Sequence, residues 1–334
     1  MYDRLERSFV HLAAMTGALA LAACGGGSSS GGGGTPPTAA PSGTIVEYPV
    51  PTANANIGGL TVGPDGALWF VESQPTGGKL GRITTAGAIA EFPFAASVAF
   101  AGSLVTGPDN NLWIADEANH LIVSTTAGAM TTYTTPATLG QLVVGPDHNL
   151  WGPEYDTNFL DAFSTAGALV HHFPTGYVNQ NNYLAVGPDS NLWIAGYSPD
   201  LGRSTMVGAV TLFSLNPPMQ HWMRSIASGP DGNLWITADT DNLILKVSTA
   251  GVVLASYPVP TPNGQPYGIT PGPDGALWFT EIIGDKIGRI TTTGTITEYP
   301  VPTANAQPYG IVAGPDGRLW FTEANGNKVG AITP

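Results

Sequence analysis

The chain has 334 residues, only 10% of them charged, and a formal net charge of −13 at pH 7. An acidic chain without a basic stripe does not bind nucleic acid through its phosphates, so this class of partner is excluded. Glycine (44 residues) and proline (29 residues) are abundant, which favours short strands joined by many turns.

Residues 1–23 are predicted to be an export signal. Two arginines precede a mostly apolar run from Phe9 to Ala23, which is too short to span a membrane. The run ends in Leu-Ala-Ala-Cys, which resembles the bacterial lipobox, where the cysteine is lipidated and becomes the first mature residue. We therefore predict lipidation of Cys24, the only cysteine; a plain secretory signal with an unrelated cysteine is the alternative.

Residues 24–43 combine this cysteine with a Gly/Ser-rich segment and several prolines, which predicts a flexible tether with a stiffer far end. The expected protein is an exported monomer that contacts a bacterial membrane through its lipid anchor only. Gly25, in place of an acidic residue after the cysteine, fits an outer membrane. Lipidation of Cys24 leaves no disulfide within the chain, so stability must come from packing.

Seven Gly-Pro-Asp triplets divide residues 44–334. Their glycines are Gly63, Gly107, Gly145, Gly187, Gly229, Gly272 and Gly314. A tryptophan follows six residues after each glycine, at Trp69, Trp113, Trp151, Trp193, Trp235, Trp278 and Trp320. Proline and aspartate favour a tight turn, and a glycine after the aspartate accepts a positive φ. A repeat of about 42 residues with several short strands predicts an all-β, seven-bladed β-propeller with four-stranded blades.

The last repeat lacks its outer strand. Its predecessor, from Gln265 to Pro302, is predicted to contain four strands and ends in TITEYPVP. Residues 44–51 read TIVEYPVP, so we predict that this N-terminal strand completes the last blade and closes the ring, which removes the open edges. The repeated tryptophans are predicted to pack between blades rather than to stack on carbohydrate.

Two sets of repeat positions are expected on the face around the central channel. Five residues before each triplet lie Gly58, Gly102, Gly140, Asn182, Arg224, Tyr267 and Tyr309. Three residues after each tryptophan lie Glu72, Asp116, Glu154, Gly196, Ala238, Glu281 and Glu323. Five residues of the second set are acidic and are candidates to hold Mg²⁺ or Ca²⁺; alternatively, each carboxylate accepts backbone N–H bonds and fixes a loop. The two sets differ between repeats, and this asymmetry favours a site over the last three blades, formed by Arg224, Tyr267, Tyr309, Glu281 and Glu323. The candidates to bind a ligand at the rim are Arg224, Asn182 and Gln307.

The segments GPDGALWFTE, NKVGAIT and KIGRITTTGTITEYPVPT resemble the virginiamycin B lyase (streptogramin lyase) family, and the resemblance covers residues 44–334. It implies a seven-bladed propeller and an elimination that opens cyclic depsipeptide antibiotics. In the elimination that the resemblance implies, a base takes the α-proton beside the ester, and Mg²⁺ stabilises the developing enolate charge. The lyase histidines correspond to Tyr267 and Tyr309 here. Gln307 stands where the family has an acidic metal ligand, and Glu323 is the nearest counterpart of its glutamate, offset by one position.

Three functions follow as hypotheses. The replacement of both histidines by tyrosines favours a module that binds a small molecule or a cell-envelope component. The alternative is a Mg²⁺-dependent lyase for streptogramin B, with the ion at Glu281 and Glu323. Its base would be Tyr267, Tyr309 or His221, although a tyrosine with its ordinary pKa of about 10 is a poor base and His221 could simply be a loop histidine. A purely structural envelope protein would have no ligand at all.

Overall fold

The computed structural model describes residues 42–74, 77–95, 98, 101–155, 157–176, 181–215 and 222–334, with the backbone alone at 181 and 182. The predictions for the signal, for Cys24 and for His221 fall outside these ranges, and so does the side chain of Asn182. Residues from Ser42 to Pro334 form one compact unit. No helix in the described part of the chain has the length and hydropathy needed to cross a membrane.

The described residues form seven antiparallel sheets of four strands each, which confirms the predicted propeller. The inner strands are β2 (Ile57–Val62), β6 (Ser103–Thr106), β10 (Val143–Val144), β14 (Asn181–Val186), β18 (Ser225–Ser228), β22 (Pro266–Pro271) and β26 (Pro308–Ala313). The second strands are β3 (Leu68–Glu72), β7 (Leu112–Ala115), β11 (Leu150–Pro153), β15 (Leu192–Gly196), β19 (Leu234–Ala238), β23 (Leu277–Glu281) and β27 (Leu319–Glu323).

The two outer positions of each blade complete the sheets. The third strands are β4 (Lys79–Ile83), β8 (His120–Ser124), β12 (Phe159–Phe163), β16 (Asp200–Ser204), β20 (Leu243–Val247), β24 (Lys286–Ile290) and β28 (Lys328–Ile332). The outermost strands are β5 (Ile89–Pro93), β9 (Met130–Thr134), β13 (Leu169–Pro174), β17 (Val210–Ser214), β21 (Val253–Pro258), β25 (Ile296–Pro300) and β1 (Ile45–Pro49). We number the blades 1 to 7 in the order of their inner strands, and each inner strand contacts the next around the ring.

The ring is closed by the N-terminal strand, as the sequence predicts. Strand β1 pairs antiparallel with β28, with Glu47 opposite Gly330 and Tyr48 opposite Val329. Blade 7 therefore has the strand order β1-β28-β27-β26 and joins the two ends of the described chain. The ring of Tyr48 stacks on Trp320, with centroids 5.5 Å apart, and so ties the closing strand to the core.

The repeated tryptophans are all fully buried and pack between neighbouring blades. Trp278, for example, lies in a cluster with Ile311, Leu319 and Phe321 of the next blade. In each repeat the indole Nε1 donates to the aspartate of the preceding Gly-Pro-Asp turn, at 2.9 to 3.1 Å. Since Gly275 has a φ of +74°, the turn also has the predicted backbone conformation. The turn thus positions the strand and satisfies a buried donor.

Replacing one turn aspartate tests this coupling. Asp274 Oδ1 accepts from the Trp278 indole at 3.0 Å, and Oδ2 pairs with Arg289 at 2.7 Å. We expect Asp274→Ala to lower the free energy of unfolding by about 1–3 kcal/mol, because a buried N–H loses its acceptor. Asp274→Asn keeps an acceptor and should lose only about 0–1 kcal/mol with the partly exposed ion pair. Urea denaturation of both variants measures the difference, and equal losses would show that the ion pair matters instead.

Candidate functional site

Three tyrosines from different blades meet inside the ring. The hydroxyl of Tyr183, in blade 4, lies 3.0 Å from the hydroxyl of Tyr267, in blade 6. The Tyr267 hydroxyl donates to the hydroxyl of Tyr309, in blade 7, at 2.7 Å. Because blade 5 lies between blades 4 and 6 in the ring, side chains of these two blades can touch only across the channel side of blade 5. The hydroxyl chain therefore lies at the central channel.

Arg224 joins the tyrosines from blade 5. Arg224 is 7% exposed. Its guanidinium group donates through Nε to Asp239 Oδ2 at 2.6 Å and through a terminal nitrogen to the Tyr197 hydroxyl at 2.7 Å. Its central carbon lies 5.0 Å from the ring centroid of Tyr197 and 5.7 Å from those of Trp222 and Tyr267. Arg224 is thus a cation within an aromatic cage, which is a favourable arrangement. We call Tyr183, Arg224, Tyr267 and Tyr309 the channel cluster.

The electrostatics of the channel cluster keep Tyr267 and Tyr309 neutral. Burial is the main cause that raises the pKa of Tyr309 to about 12, and it raises the pKa of Tyr267 well above 10. Arg224 stays protonated, and its ion pair with Asp239 offsets part of the cost of burying the charge. At neutral pH the site therefore offers protonated hydroxyl groups and one buried cation balanced by Asp239.

Contacts between consecutive blades set the positions of Tyr267 and Tyr309. The hydroxyl of Thr237 donates to the Tyr267 carbonyl at 2.6 Å, and that of Thr280 donates to the Tyr309 carbonyl at 2.9 Å. A Cβ atom on Gly268 would lie only 2.7 Å from the Tyr309 carbonyl oxygen, so the residue after the tyrosine must be glycine. These contacts bring the two rings to a centroid distance of 4.4 Å.

Gln307 precedes β26 with a φ of +50°, and its backbone N–H donates to Asp285 Oδ1 at 3.1 Å. Tyr183 was not predicted, because it lies one residue after the repeat position of Asn182, where blades 6 and 7 have Gly268 and Gly310. Tyr197 and Trp222 were not among the predicted site residues either. An aromatic residue one place after Asn182 was the available signal.

Glu281 and Glu323, the predicted metal ligands, lie between blades. Each is completely buried, and neither oxygen of either carboxylate has a hydrogen-bond partner within the described residues. Burial, followed by the charge of a neighbouring carboxylate, raises the pKa of Glu281 to about 7 and that of Glu323 to about 8. Among the described residues, neither belongs to a group of three His, Cys, Asp or Glu side chains close enough to share an ion.

The surroundings of these glutamates form a repeated motif that was not predicted from the sequence. Lys286 Nζ lies 2.7 Å from Glu298 Oε2 and 2.5 Å from Thr261 Oγ1, and Thr261 N–H donates to Glu298 Oε1 at 2.8 Å. Glu281 borders this group. Blades 1 and 7 repeat it around Glu72 and Glu323. We call each set of two glutamates, a lysine and a threonine an inter-blade carboxyl cluster. Its signal in the sequence was the recurring Val-Pro-Thr, together with the lysine and with Glu-Tyr-Pro or Glu-Phe-Pro.

Asp116, at the corresponding end of β7, behaves differently. Its Oδ1 accepts from the backbone N–H groups of Ala118 at 3.0 Å and His120 at 2.8 Å, and its Oδ2 lies 2.9 Å from His120 Nδ1. This carboxylate fixes the loop between two strands, which is the alternative role foreseen for the acidic positions. The acidic residues at the ends of the second strands therefore do not form one continuous ring with a single function.

Comparison with known proteins agrees with the fold. The model of the virginiamycin B lyase family matches residues 38–140 and 125–334. A streptogramin B lyase structure is 26% identical with a TM-score of 0.78, covering 87% of this chain and 97% of that one. Selenomethionine-substituted virginiamycin B lyase from Staphylococcus aureus is 27% identical with a TM-score of 0.80, covering 87% and 99%.

A catalytically inactive histidine-to-alanine variant of the Staphylococcus aureus enzyme, solved with quinupristin, gives the same identity, TM-score and coverage. The WD40 propeller of Doa1, at 13% identity and a TM-score of 0.70, shares the fold alone. No curated protein matches the chain. Because the family model extends over nearly all of the propeller, from the closing strand to the C-terminal residue, the chain belongs to the virginiamycin B lyase family.

Proposed function

We propose that this protein is a ligand-binding member of its family rather than a lyase, and that a lipid on Cys24 holds it outside the cytoplasm on a bacterial membrane. The observation that carries the proposal is the hydroxyl chain of Tyr183, Tyr267 and Tyr309. Two of these tyrosines stand where the family resemblance implies histidines. The tether predicted for residues 24–43 would give the propeller reach from the membrane surface.

The chemistry of elimination argues against the tyrosines as bases. A general base must be deprotonated near the working pH. Tyr309 has a pKa of about 12 and the pKa of Tyr267 is also raised, so both phenols keep their protons at neutral pH. The solved Staphylococcus aureus variant described as catalytically inactive has a histidine replaced by alanine, so that enzyme depends on a histidine. None of the four residues of the channel cluster is a histidine.

The same groups suit recognition. Tyr183, Tyr267 and Tyr309 supply aromatic faces and hydroxyl groups that can donate or accept hydrogen bonds. Arg224 is fixed by Asp239 and Tyr197, so its charge is positioned before a ligand arrives. A small molecule or a cell-envelope component with both apolar rings and polar groups would be complementary to such a site.

A second candidate is a Mg²⁺-dependent lyase with the ion at Glu281 and Glu323. What favours it is that both oxygens of each buried carboxylate are unpartnered within the described residues. The two side chains nevertheless lie in separate inter-blade carboxyl clusters, and neither gathers two further ligands. The residues described here therefore do not assemble the Mg²⁺ site that the family resemblance implies.

An assay with quinupristin distinguishes ligand binding from lyase activity. We expect it to bind the purified protein, as measured by intrinsic fluorescence, and to remain closed in the presence of Mg²⁺. A Tyr267→Phe/Tyr309→Phe variant should bind about tenfold more weakly, since the loss of its hydroxyl partners costs about 1.4 kcal/mol in total. Elimination leaves the mass unchanged, so opening is followed by chromatographic retention and fragmentation.

Ring opening that requires Mg²⁺ and disappears in Glu281→Ala/Glu323→Ala would establish the lyase instead. If the wild type and the double phenylalanine variant bind quinupristin equally well, the channel cluster is not the binding site. As a control, Tyr299→Phe changes a tyrosine that stacks on Trp278 outside the cluster, and it should leave quinupristin binding unchanged.

A further inference from the structure

Blade 3 lacks a phenylalanine–glycine pair that packs between the second and third strands of three other blades. In blade 1, Phe70 on the second strand is opposite Gly81 on the third, and a Cβ atom on Gly81 would lie 2.2 Å from the phenyl ring. Blades 6 and 7 repeat this pair with Phe279 and Gly288, and with Phe321 and Gly330. In blade 3, Gly152 is opposite Asp161. The absence of a large ring at Gly152 leaves room for a carboxylate at Asp161.

Two further substitutions accompany this exchange. The position of Glu91, opposite Gly81 in blade 1, is taken in blade 3 by His172, which is opposite Asp161. The lysine that begins the third strand of blades 1, 6 and 7 is replaced by Phe159, whose ring stacks on His172 at 4.0 Å and 8°. Blade 3 therefore replaces the glutamate–lysine pair of the inter-blade carboxyl clusters with an aspartate–histidine pair, and Phe159 holds the imidazole in place.

The result is a compact group of three potential ligands. His172 Nδ1 lies 2.7 Å from Asp161 Oδ1 and 3.6 Å from Glu154 Oε1. One ligand atom from each of the three residues lies within 4.8 Å of the others, and no second group of this kind occurs in the described ranges. Ligand atoms around an ion bound at about 2.0–2.1 Å are separated by roughly 3–3.5 Å. The distance from His172 Nδ1 to Asp161 is somewhat shorter than this separation, and the distance to Glu154 is slightly longer.

Both carboxylates are incompletely satisfied. Asp161 is 0% exposed and Glu154 is 2% exposed, yet Asp161 Oδ2 and Glu154 Oε1 have no hydrogen-bond partner in the described part of the chain. The other Glu154 oxygen accepts from the Thr157 hydroxyl. Two adjacent buried carboxyl groups with unpartnered oxygens are costly unless a cation neutralises them.

We propose that Glu154, Asp161 and His172 bind a divalent transition-metal ion such as Zn²⁺ in the outer part of blade 3. One imidazole nitrogen and two carboxylate oxygens suit Zn²⁺, Mn²⁺ or Co²⁺, whereas Ca²⁺ and Mg²⁺ prefer oxygen ligands alone. The His172 side chain is 40% exposed, which gives an ion a route from solvent and leaves a coordination position for water. The site is separate from the channel cluster.

Isothermal titration of the purified protein with Zn²⁺ tests the proposal, and absorption of bound Co²⁺ reports the ligand geometry. We expect one ion per blade 3 site, and at least about a tenfold loss of affinity in His172→Gln and in Asp161→Asn. His171→Gln is the matched control, because His171 is the adjacent residue but stacks on Trp151 instead. Circular dichroism of each variant establishes that it is folded.

The ligands must be deprotonated to bind, so Zn²⁺ affinity should increase from pH 6 to pH 8 and protons should be released. Equal affinities in His172→Gln and His171→Gln would overturn the proposal, and so would the absence of Zn²⁺ binding by the wild type. Unchanged Co²⁺ absorption in folded Asp161→Asn would exclude Asp161 as a ligand and contradict the proposed three-residue site.

Discussion

A protein that begins at residue 52 is expected to be far less stable than one that begins at residue 42. The shorter form lacks β1, so β28 becomes an unpaired edge and blade 7 has three strands. It also loses the stacking of Tyr48 on Trp320 and the 2.7 Å ion pair of Glu47 with Lys328. Loss of a large packed aromatic side chain alone costs about 3–5 kcal/mol.

Urea denaturation followed by tryptophan fluorescence measures this effect. The form beginning at residue 42 is the matched control, because the described compact unit begins there, and its midpoint should equal that of the full chain. A synthetic peptide of residues 42–51, added in excess to the shorter form, should restore part of the stability by occupying the vacant edge of β28. Identical midpoints for the two truncated forms would show that ring closure contributes nothing.

The buried glutamate of blade 1 should make the protein less stable as the pH rises. Burial is the main cause that raises the Glu72 pKa from an ordinary 4.5 to about 7 in the folded state, and the charge of Glu91 adds to it. Between these values the folded chain binds more protons than the unfolded chain, so the free energy of unfolding falls with increasing pH. The loss from this group amounts to about 3 kcal/mol above pH 7.

Glu72→Gln removes the titration but keeps the shape of the side chain. We expect it to change stability little at pH 5 and to increase the free energy of unfolding by up to about 3 kcal/mol at pH 8. Glu91→Gln is the matched control. Burial opposes the charge of Glu91, but hydrogen bonds from Lys79 and Thr52 lower its pKa, so this variant should be destabilised at pH 8.

Thermal denaturation from pH 4 to pH 9 distinguishes the two glutamates. Carboxylates with lowered pKa values, such as Glu91, lose their stabilising contribution as the pH falls below about 4.5. Stability should therefore be greatest between these two ranges. A constant difference between the wild type and Glu72→Gln across pH 5 to 8.5 would show that Glu72 is already ionised in the folded state.

Much of the fold was predictable because its signals are local and are repeated seven times. A turn such as Gly272–Gly275 depends on the φ preferences of its own residues, and Trp278 recurs at a fixed distance from it. The N-terminal strand was recognisable because residues 44–51 almost repeat residues 295–302. These features require no knowledge of how the blades are oriented.

The direction of Glu281 could also have been predicted. Successive side chains of a strand point to opposite faces, so Glu281 shares a face with Phe279. Phe279 packs with Val259 and Trp235 of the preceding blade. The carboxylate therefore lies in the same inter-blade layer. The repeat register located the residue but did not account for this alternation along β23.

The number of blades, the positions of the turns and tryptophans, and the strand that closes the ring can be predicted from the sequence, because each depends on neighbouring residues or on a repeated word. The contacts between distant side chains are visible only in the folded protein. Tyr183 contacts Tyr267 across the channel side of blade 5, although 84 positions separate them. Asp161 fits beside His172 because Gly152 is small. Such contacts depend on strand register and on the space left by other side chains, which a single sequence does not specify.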